Sequence, residues 1–287
     1  MATDPLITTV LDLDSALGGN ADLLLGGGLG LLLKQRHLAQ AEAKTLLPPS
    51  RWPQARTTQD IDLFLRAEVV ANADRMAQLQ DALNDLGFHP QEDAKWLKFT
   101  RRVAGQEVIV DLMVGPLGTY ADAVDRRNVR VKPKGSSGLH ARATDDALGV
   151  EHQPLRIAID GITSDSNVHH CEVLVPQAFS FALMKLGAFR DRMNDEDRDV
   201  GRHHALDLYR IVAMLTEDED ATGAHLADQF RGDSVINDAM EIIDEHFAPT
   251  QGIGRIRMRE HPLWPTDADP DWLVEEMRRL ITPRAQR

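Results

Sequence analysis

Two carboxylates separated by one apolar residue stand inside an otherwise apolar run, Gln59-Asp60-Ile61-Asp62-Leu63-Phe64-Leu65. Such a run fits a half-buried β-strand, in which alternate side chains share a face. Asp60 and Asp62 then point one way, while Ile61, Leu63 and Leu65 point into a core. Side-by-side like charges repel, and burying either one costs more. A divalent cation between them relieves both costs. Mg²⁺, with Mn²⁺ as its substitute, is held by one or two carboxylates together with water and substrate phosphates, which is the chemistry of phosphoryl and nucleotidyl transfer.

A chain of 287 residues with 43% hydrophobic content can build a substantial core, as one large or two ordinary domains. Its one cysteine, Cys171, excludes an intramolecular disulfide and a cysteine-based zinc site. The most apolar window, Leu23 to Leu33, is far shorter than a membrane span and is broken by glycines. No basic segment precedes it, so it does not read as a signal peptide, and the expected location is cytoplasmic, with no membrane partner. A net charge of −13 argues against a protein that coats nucleic acid through its overall field. Basic residues nevertheless gather at Arg126, Arg127, Arg130, Lys132 and Lys134, at Lys98, Arg101 and Arg102, and at Arg255, Arg257 and Arg259. Each cluster alone reads as a solvated face, and together they leave room for a local phosphate-binding surface.

The periodicity predicts an α+β chain: an N-terminal domain over 1–175 with a small mixed sheet, then a helical domain over 176–287. Leu6–Leu17 and Leu23–Lys34 have helical spacing, with the glycines at 26–30 as a turn into a helix that begins near Leu29. Asn72–Leu86 reads as a helix closed by Gly87. Trp96–Val103 and Glu107–Val114 read as a hairpin, with Asp111 facing the same way as Ile109 and Met113. Residues 115–150 look irregular and exposed. Leu155–Ile159 and Glu172–Val175 are short strand candidates. After Pro176 the spacing is helical, over Phe179–Phe189, Leu208–Leu215, Val235–Phe247 and Asp271–Ile281.

Gly27-Gly28, the Asp60/Asp62 strand and Asp111 on a later strand form one constellation. A phosphate approaches backbone N–H groups most closely where no Cβ stands in the way, and a glycine pair at a helix start offers them with the favourable end of the helix dipole. A two-metal site needs a third carboxylate, and Asp111 can supply it or act as general base on an attacking hydroxyl. Taken singly, a glycine pair is most often a turn and an Asp-x-Asp a solvated strand face. Three carboxylates in apolar strands are harder to explain without a function.

The residues Leu25-Gly26-Gly27-Gly28-Leu29-Gly30-Leu31, Arg56-Thr57-Thr58-Gln59-Asp60-Ile61-Asp62-Leu63, Val108-Ile109-Val110-Asp111-Leu112, Phe181-Ala182-Leu183-Met184-Lys185-Leu186 and Asp207-Leu208-Tyr209 resemble the nucleotidyltransferase superfamily related to DNA polymerase β. More narrowly, they resemble its AbiEii/MenT group, the toxins of toxin–antitoxin pairs. The resemblance covers the chain to about residue 215. It implies a Mg²⁺-dependent enzyme that moves a nucleoside monophosphate from an NTP to a hydroxyl, with the 3′ end of tRNA as acceptor and an antitoxin protein as partner. It further implies that Asp60, Asp62 and Asp111 hold metal, that Gly27, Gly28 and Thr58 bind nucleotide, that Lys185 meets its phosphates, that Lys185 and Asp207 belong with the three metal carboxylates to the catalytic set, and that Thr58 is open to modification by the antitoxin. Two departures stand out. Leu29 replaces the usual Ser or Thr after the glycine pair, and the gap from Gly28 to Asp60 carries an insertion with Lys34, Arg36, Lys44, Arg51, Trp52 and Arg56.

Read from the residues alone, Lys185 in an apolar helix either snorkels or pairs with an anion, and Asp207 either offsets a helix dipole or serves the site. His169-His170-Cys171 and His203-His204 lack chelating spacing and read as structural or surface residues. Two further functions remain open: transfer to a small molecule such as an aminoglycoside-like antibiotic, and a non-catalytic nucleotide-binding module. All three metal carboxylates are present, which ranks the last reading lowest.

Overall fold

The computed structural model of the protein describes residues 4–56, 58–195 and 197–283, with the backbone alone over 198–200. Thr57 of the Arg56–Leu63 motif lies outside the described residues. In chain order the elements are α1 (Pro5–Ala16), β1 (Leu24–Leu25), α2 (Gly27–Gln40), β2 (Asp60–Leu65), α3 (Ala67–Val70), α4 (Ala73–Asp85), β3 (His89–Pro90), β4 (Lys98–Val103), β5 (Gln106–Val114), β6 (Val124–Arg127), β7 (Arg130–Pro133), β8 (Ala141–Ala143), β9 (Leu155–Ile162) and β10 (Val168–Val175). The helices α5 (Ala178–Arg192), α6 (Arg198–Ala213), α7 (Glu217–Gln229), α8 (Ser234–Ile242), α9 (Ile253–Arg259) and α10 (Pro270–Ile281) follow. The chain is thus α+β, with a mixed sheet.

It divides into two compact units, one of Met1–Lys34, Thr57–Asp145 and Gln153–Pro176, the other of Gln35–Arg56, Asp146–His152 and Gln177–Arg287. A single cut at 175 therefore describes the division incompletely. The Gln35–Arg56 insertion and a short loop after Asp145 belong with the helices, because their packing partners lie there. Leu46 and Leu47, for example, donate backbone hydrogen bonds to the carbonyls of Leu215 and Ala213.

The first unit is built on the sheet, which is larger than expected. Among the described residues it has ten strands, in the order β6-β7-β8-β5-β2-β1-β10-β9, with β4 beside β5 and β3 beside β4. β2 runs parallel to β5 and antiparallel to β1, and β1 runs parallel to β10. Residues 115–150, expected to be irregular, contribute β6, β7 and β8. Polar and basic composition hid them, since β6 and β7 form a solvated hairpin with only Val124, Val131 and Pro133 turned inward. The two-residue β1 is too short to leave a periodic signal, and α2 starts at Gly27 rather than near Leu29.

One face of the sheet is apolar. Ile61, Leu63, Val110, Leu112 and Phe99 are buried there. α1 packs across the same sheet, and Arg101 of β4 reaches the buried Asp12 of α1 and hydrogen-bonds Thr9. The helix ends follow their expected chemistry: Asn72 accepts from the amides of Asp74 and Arg75 to open α4, and Gly87, at φ +74°, closes it.

In the second unit α5 is the central helix, packing against α6, α7, α8 and α10. Phe179, Phe181, Leu183, Leu186 and Phe189 are all buried, as expected of a helix that is apolar around its circumference. Pro176 precedes the N-cap residue Gln177 instead of opening the helix itself. α7 and α9 carry no clear apolar spacing. No described helix is long and apolar enough to cross a membrane.

The β4–β5 hairpin turns through Ala104 and Gly105, both with positive φ (+49° and +83°), the geometry of a two-residue primed turn. Ala104 holds a left-handed conformation that costs a residue with a Cβ about 1 kcal/mol. Ala104→Gly is expected to raise the melting temperature by a few degrees, and a lowered melting temperature in a calorimetric scan would refute this account of the turn.

Candidate functional site

The first unit aligns the three carboxylates that the sequence singled out. β2 and β5 pair in parallel with Asp62 directly opposite Asp111, and Asp60 lies two residues along the same face. β4 continues the row, because Lys98 is the antiparallel partner of Asp111. Lys98 Nζ stands 3.1 Å from Asp111 Oδ2, and Arg142 Nε, on β8, stands 3.7 Å from the same oxygen. Asp111 is only 6% exposed, and its Oδ1 has no hydrogen-bond partner. Asp62 is half-buried and Asp60 exposed.

The glycines sit over Asp62. From β1 the chain passes through Gly26, whose amide donates to the carbonyl of Asp62 at 2.8 Å, and enters α2 at Gly27. A Cβ on Gly26 would lie 2.6 Å from the Phe64 ring. One on Gly27 would lie 1.7 Å from Asp62 Oδ2, and Gly27 also holds φ +57°. No other residue fits there, so the carboxylate of Asp62 lies against the positive end of α2. Gly28, buried, is the second residue of the helix. Thr58 Oγ1 accepts from the amide of Asp60 at 3.3 Å and so anchors the start of β2.

The second unit holds a different cluster. Asp207 is fully buried in the tenth position of α6, so the first-turn dipole role considered for it does not apply. Lys185 does not snorkel. Its Nζ donates to Asp207 Oδ2 at 2.7 Å, Arg210 donates to Oδ1 at 2.9 Å, and Arg56 stands 3.4 Å from Oδ2. Arg210 also donates to Gln35 Oε1 at 2.8 Å. Burial alone would raise the pKa of Asp207, but Lys185, Arg56 and Arg210 hold it well below the usual carboxylate range. With both oxygens engaged by cations, Asp207 is a poor proton acceptor and orients the lysine instead. Three cations against one carboxylate leave two positive charges in excess. His204 adds none, since burial first and Lys185 second push it down to about 3.

Other expectations change. Two of the three basic clusters are largely engaged within the fold, Lys98 on Asp111 and Arg101 on Asp12, then Arg255 on the carbonyls of Phe247 and Ala248 and Arg257 on Glu260, while Arg102 and Arg259 stay exposed. Only the Arg126–Lys134 segment remains largely solvated, on the β6–β7 hairpin, with Arg126 paired to Asp145. His169 bonds Asp14 and His170 bonds Asp160, as structural residues do. Burial, with Asp14 and Asp160 nearby, pushes the Cys171 thiol up to about 12, which makes it a poor nucleophile.

The residues that sequence reasoning did not assign are Lys98, Arg142, Arg210 and Gln35. Lys98 was countable, because a two-residue turn at 104–105 places 98 opposite 111. Arg210 stands three residues after Asp207 on a helix, a spacing that pairs side chains. Nothing local marks Arg142 or Gln35. As for metal, the donor set is all carboxylate oxygen, which suits a hard divalent cation, and Asp111 Oδ1 is buried without a hydrogen-bond partner. No three His, Cys, Asp or Glu side chains are already grouped as a cage among the described residues; Asp111 is turned to Lys98 and Arg142 instead.

The buried histidines set a pH dependence. Unfolded, His204 takes up a proton near pH 6.5, and folded only near 3, so its contribution is complete above 6.5 and is lost as pH falls between the two. His261, pushed down to about 4 by burial and then by His203, acts in the same direction. Asp207 loses its contribution only below its ordinary value of 3.8. Urea unfolding at successive pH values from 7 to 5 is expected to show falling stability, with a shallower fall in His204→Gln. Identical slopes in the two proteins would remove His204 from this account.

No family model, no curated protein and no solved structure matches the chain.

Proposed function

We propose that the protein is a Mg²⁺-dependent nucleotidyltransferase that moves a nucleoside monophosphate from an NTP to a hydroxyl, with the 3′ end of tRNA as acceptor, acting as the toxin of a toxin–antitoxin pair. One observation carries the chemistry: Asp62 and Asp111 oppose each other in register, and Gly27 is pressed so closely on Asp62 that no Cβ fits. Asp60, Asp62 and Asp111 would hold the Mg²⁺, or Mn²⁺ in its place. The ion, when bound, supplies charge neutralisation for the triphosphate and a more acidic acceptor hydroxyl.

The chain's own residues do the rest. The amides at the start of α2 favour an anion. Where Asp111 does not hold the ion, its carboxylate would instead accept the hydroxyl proton as the acceptor oxygen bonds to the α-phosphorus and pyrophosphate leaves. Within the second unit by itself, the cations around Asp207 suit an anion, with Lys185 and Arg56 as donors and Asp207 as the residue that orients them. A phosphate added to Thr58 by the antitoxin would break its bond to the Asp60 amide and place like charge beside the carboxylates.

A second acceptor class has its own support. With most of two basic clusters engaged by internal pairs and a net charge of −13, the β6–β7 hairpin carries the densest solvated basic segment among the described residues. That favours transfer to a small hydroxyl-bearing molecule such as an amino sugar. Incubating the pure protein with Mg²⁺, each α-labelled NTP and either total RNA or amino-sugar acceptors separates the two. Asp60→Asn and Asp62→Asn are expected to lower label transfer at least about a hundredfold while remaining folded, since a lost metal ligand costs activity and relieves repulsion. Near-normal transfer by either variant would overturn the assignment.

Lys98 gives a test that needs no acceptor. Its ammonium stands at Asp111 where a cation would stand, so ion and lysine compete. Lys98→Met is expected to bind Mn²⁺ more tightly than the parent, read as a larger Mn²⁺-induced rise in melting temperature. An equal or smaller rise would make Lys98 a bystander.

A further inference from the structure

β9 is the last strand of the sheet, with β10 on one side and, in the strand order of the first unit, no strand on the other. It is eight residues long and regular, and contains no proline and no lysine. Natural sheets usually blunt such an edge, because its unpaired N–H and C=O groups template another strand. Its faces are sharply divided. Ile157 and Ile159 are buried, while Arg156, Ala158, Asp160 and Ile162 are exposed. At the tip Ile162 is 47% exposed, and Val168, its partner on β10, is 86% exposed.

The exposed row is self-complementary. Laid antiparallel against itself about a two-fold axis at Ala158, the strand sets Arg156 opposite Asp160 of the second copy, and Asp160 opposite its Arg156. The small Ala158 meets itself on the axis, and Ile162 meets Pro154. On the other face Ile157 opposes Ile159. A one-residue shift in either direction loses both charge matches. Directly opposed, oppositely charged residues are the pairs that stabilise antiparallel strands. Arg156 already lies near Asp22 and Glu172, at 3.0 and 3.6 Å, and Asp160 near His170. These neighbours flank the strand and leave both charged ends at the surface. We propose that β9 pairs with β9 of a second copy of this chain, joining two sheets across a dyad at Ala158.

A single strand edge is a small interface, so the dimer should be concentration-dependent. Sedimentation of the 287-residue chain from about 1 to 100 µM is expected to show monomer giving way to dimer. Arg156→Asp places acid opposite acid twice, and Asp160→Arg places base opposite base twice. Each alone should weaken the dimer by about tenfold or more. An equimolar mixture of the two variants restores both pairs and should dimerise as the parent does. Circular dichroism of each variant confirms that these surface changes leave the fold intact. A parent that stays monomeric throughout, single variants that dimerise normally, or a mixture that does not recover would each overturn the proposal. Capture of a different protein's strand at β9 is excluded by the mixing result, because only self-pairing is rescued by combining the two variants.

Discussion

Parallel pairing of β2 with β5 sets the chemistry of the first unit. Neighbouring strands lie about 4.8 Å apart, so carboxylates in register repel by an amount on the order of a few kcal/mol unless positive charge stands near. Asp62 and Asp111 are in register. The surrounding fold answers that repulsion from two sides. The start of α2 is drawn onto Asp62, which only a glycine at position 27 allows. Lys98 and Arg142 are drawn onto Asp111. The glycines, the register of β4 set by its two-residue turn and the placement of β8 all bring positive charge or a helix start beside the two acids.

The helical unit has the opposite excess. Asp207 at 0% exposure is enclosed by Lys185, Arg210 and Arg56. Removing one member of such a buried group leaves charge uncompensated, which typically costs about 3–5 kcal/mol, whereas replacing the whole group by apolar residues is often neutral or stabilising. A cluster like this is thus a poor investment in stability alone. Gln35, holding the far side of Arg210, restricts the geometry further. That combination of high cost and fixed orientation is what a preorganised anion site requires.

Legibility in the sequence followed the strength of local signals. The apolar strand around Asp60 and Asp62, the Asn72-to-Gly87 helix and the 98–114 hairpin carry period, cap and turn together, and the structure has each of them. α7 begins instead with four acids, Glu217 to Asp220, and is marked only by the capping box of Thr216 and Glu219. β6 and β7 are solvated, and β6 to β8 are too short for alternation to register. In the candidate site, Asp62 and Asp111 were legible because each breaks an apolar run. Their neighbours Arg142 and Gln35 were not, since a charged or amide residue in a polar segment looks like surface until distant strands and helices come together. The fate of the basic clusters shows the same limit. Arg101 and Arg255 look like surface charge in one dimension, yet lie in the core with Asp12 and with the carbonyl of Phe247.

That limit bears on how an acidic chain handles a polyanion. Overall charge acts at long range and is screened beyond about 8 Å at physiological salt. A buried group is screened far less and acts at short range. With −13 over the whole chain and three cations around one buried aspartate, the long-range field opposes a polyanion, while the local group favours an anion only at close approach. A long nucleic acid feels mainly the first effect and a small phosphorylated molecule mainly the second. An RNA acceptor would therefore have to present a single end, as the 3′ terminus of tRNA does, so that little of its backbone lies along the acidic surface.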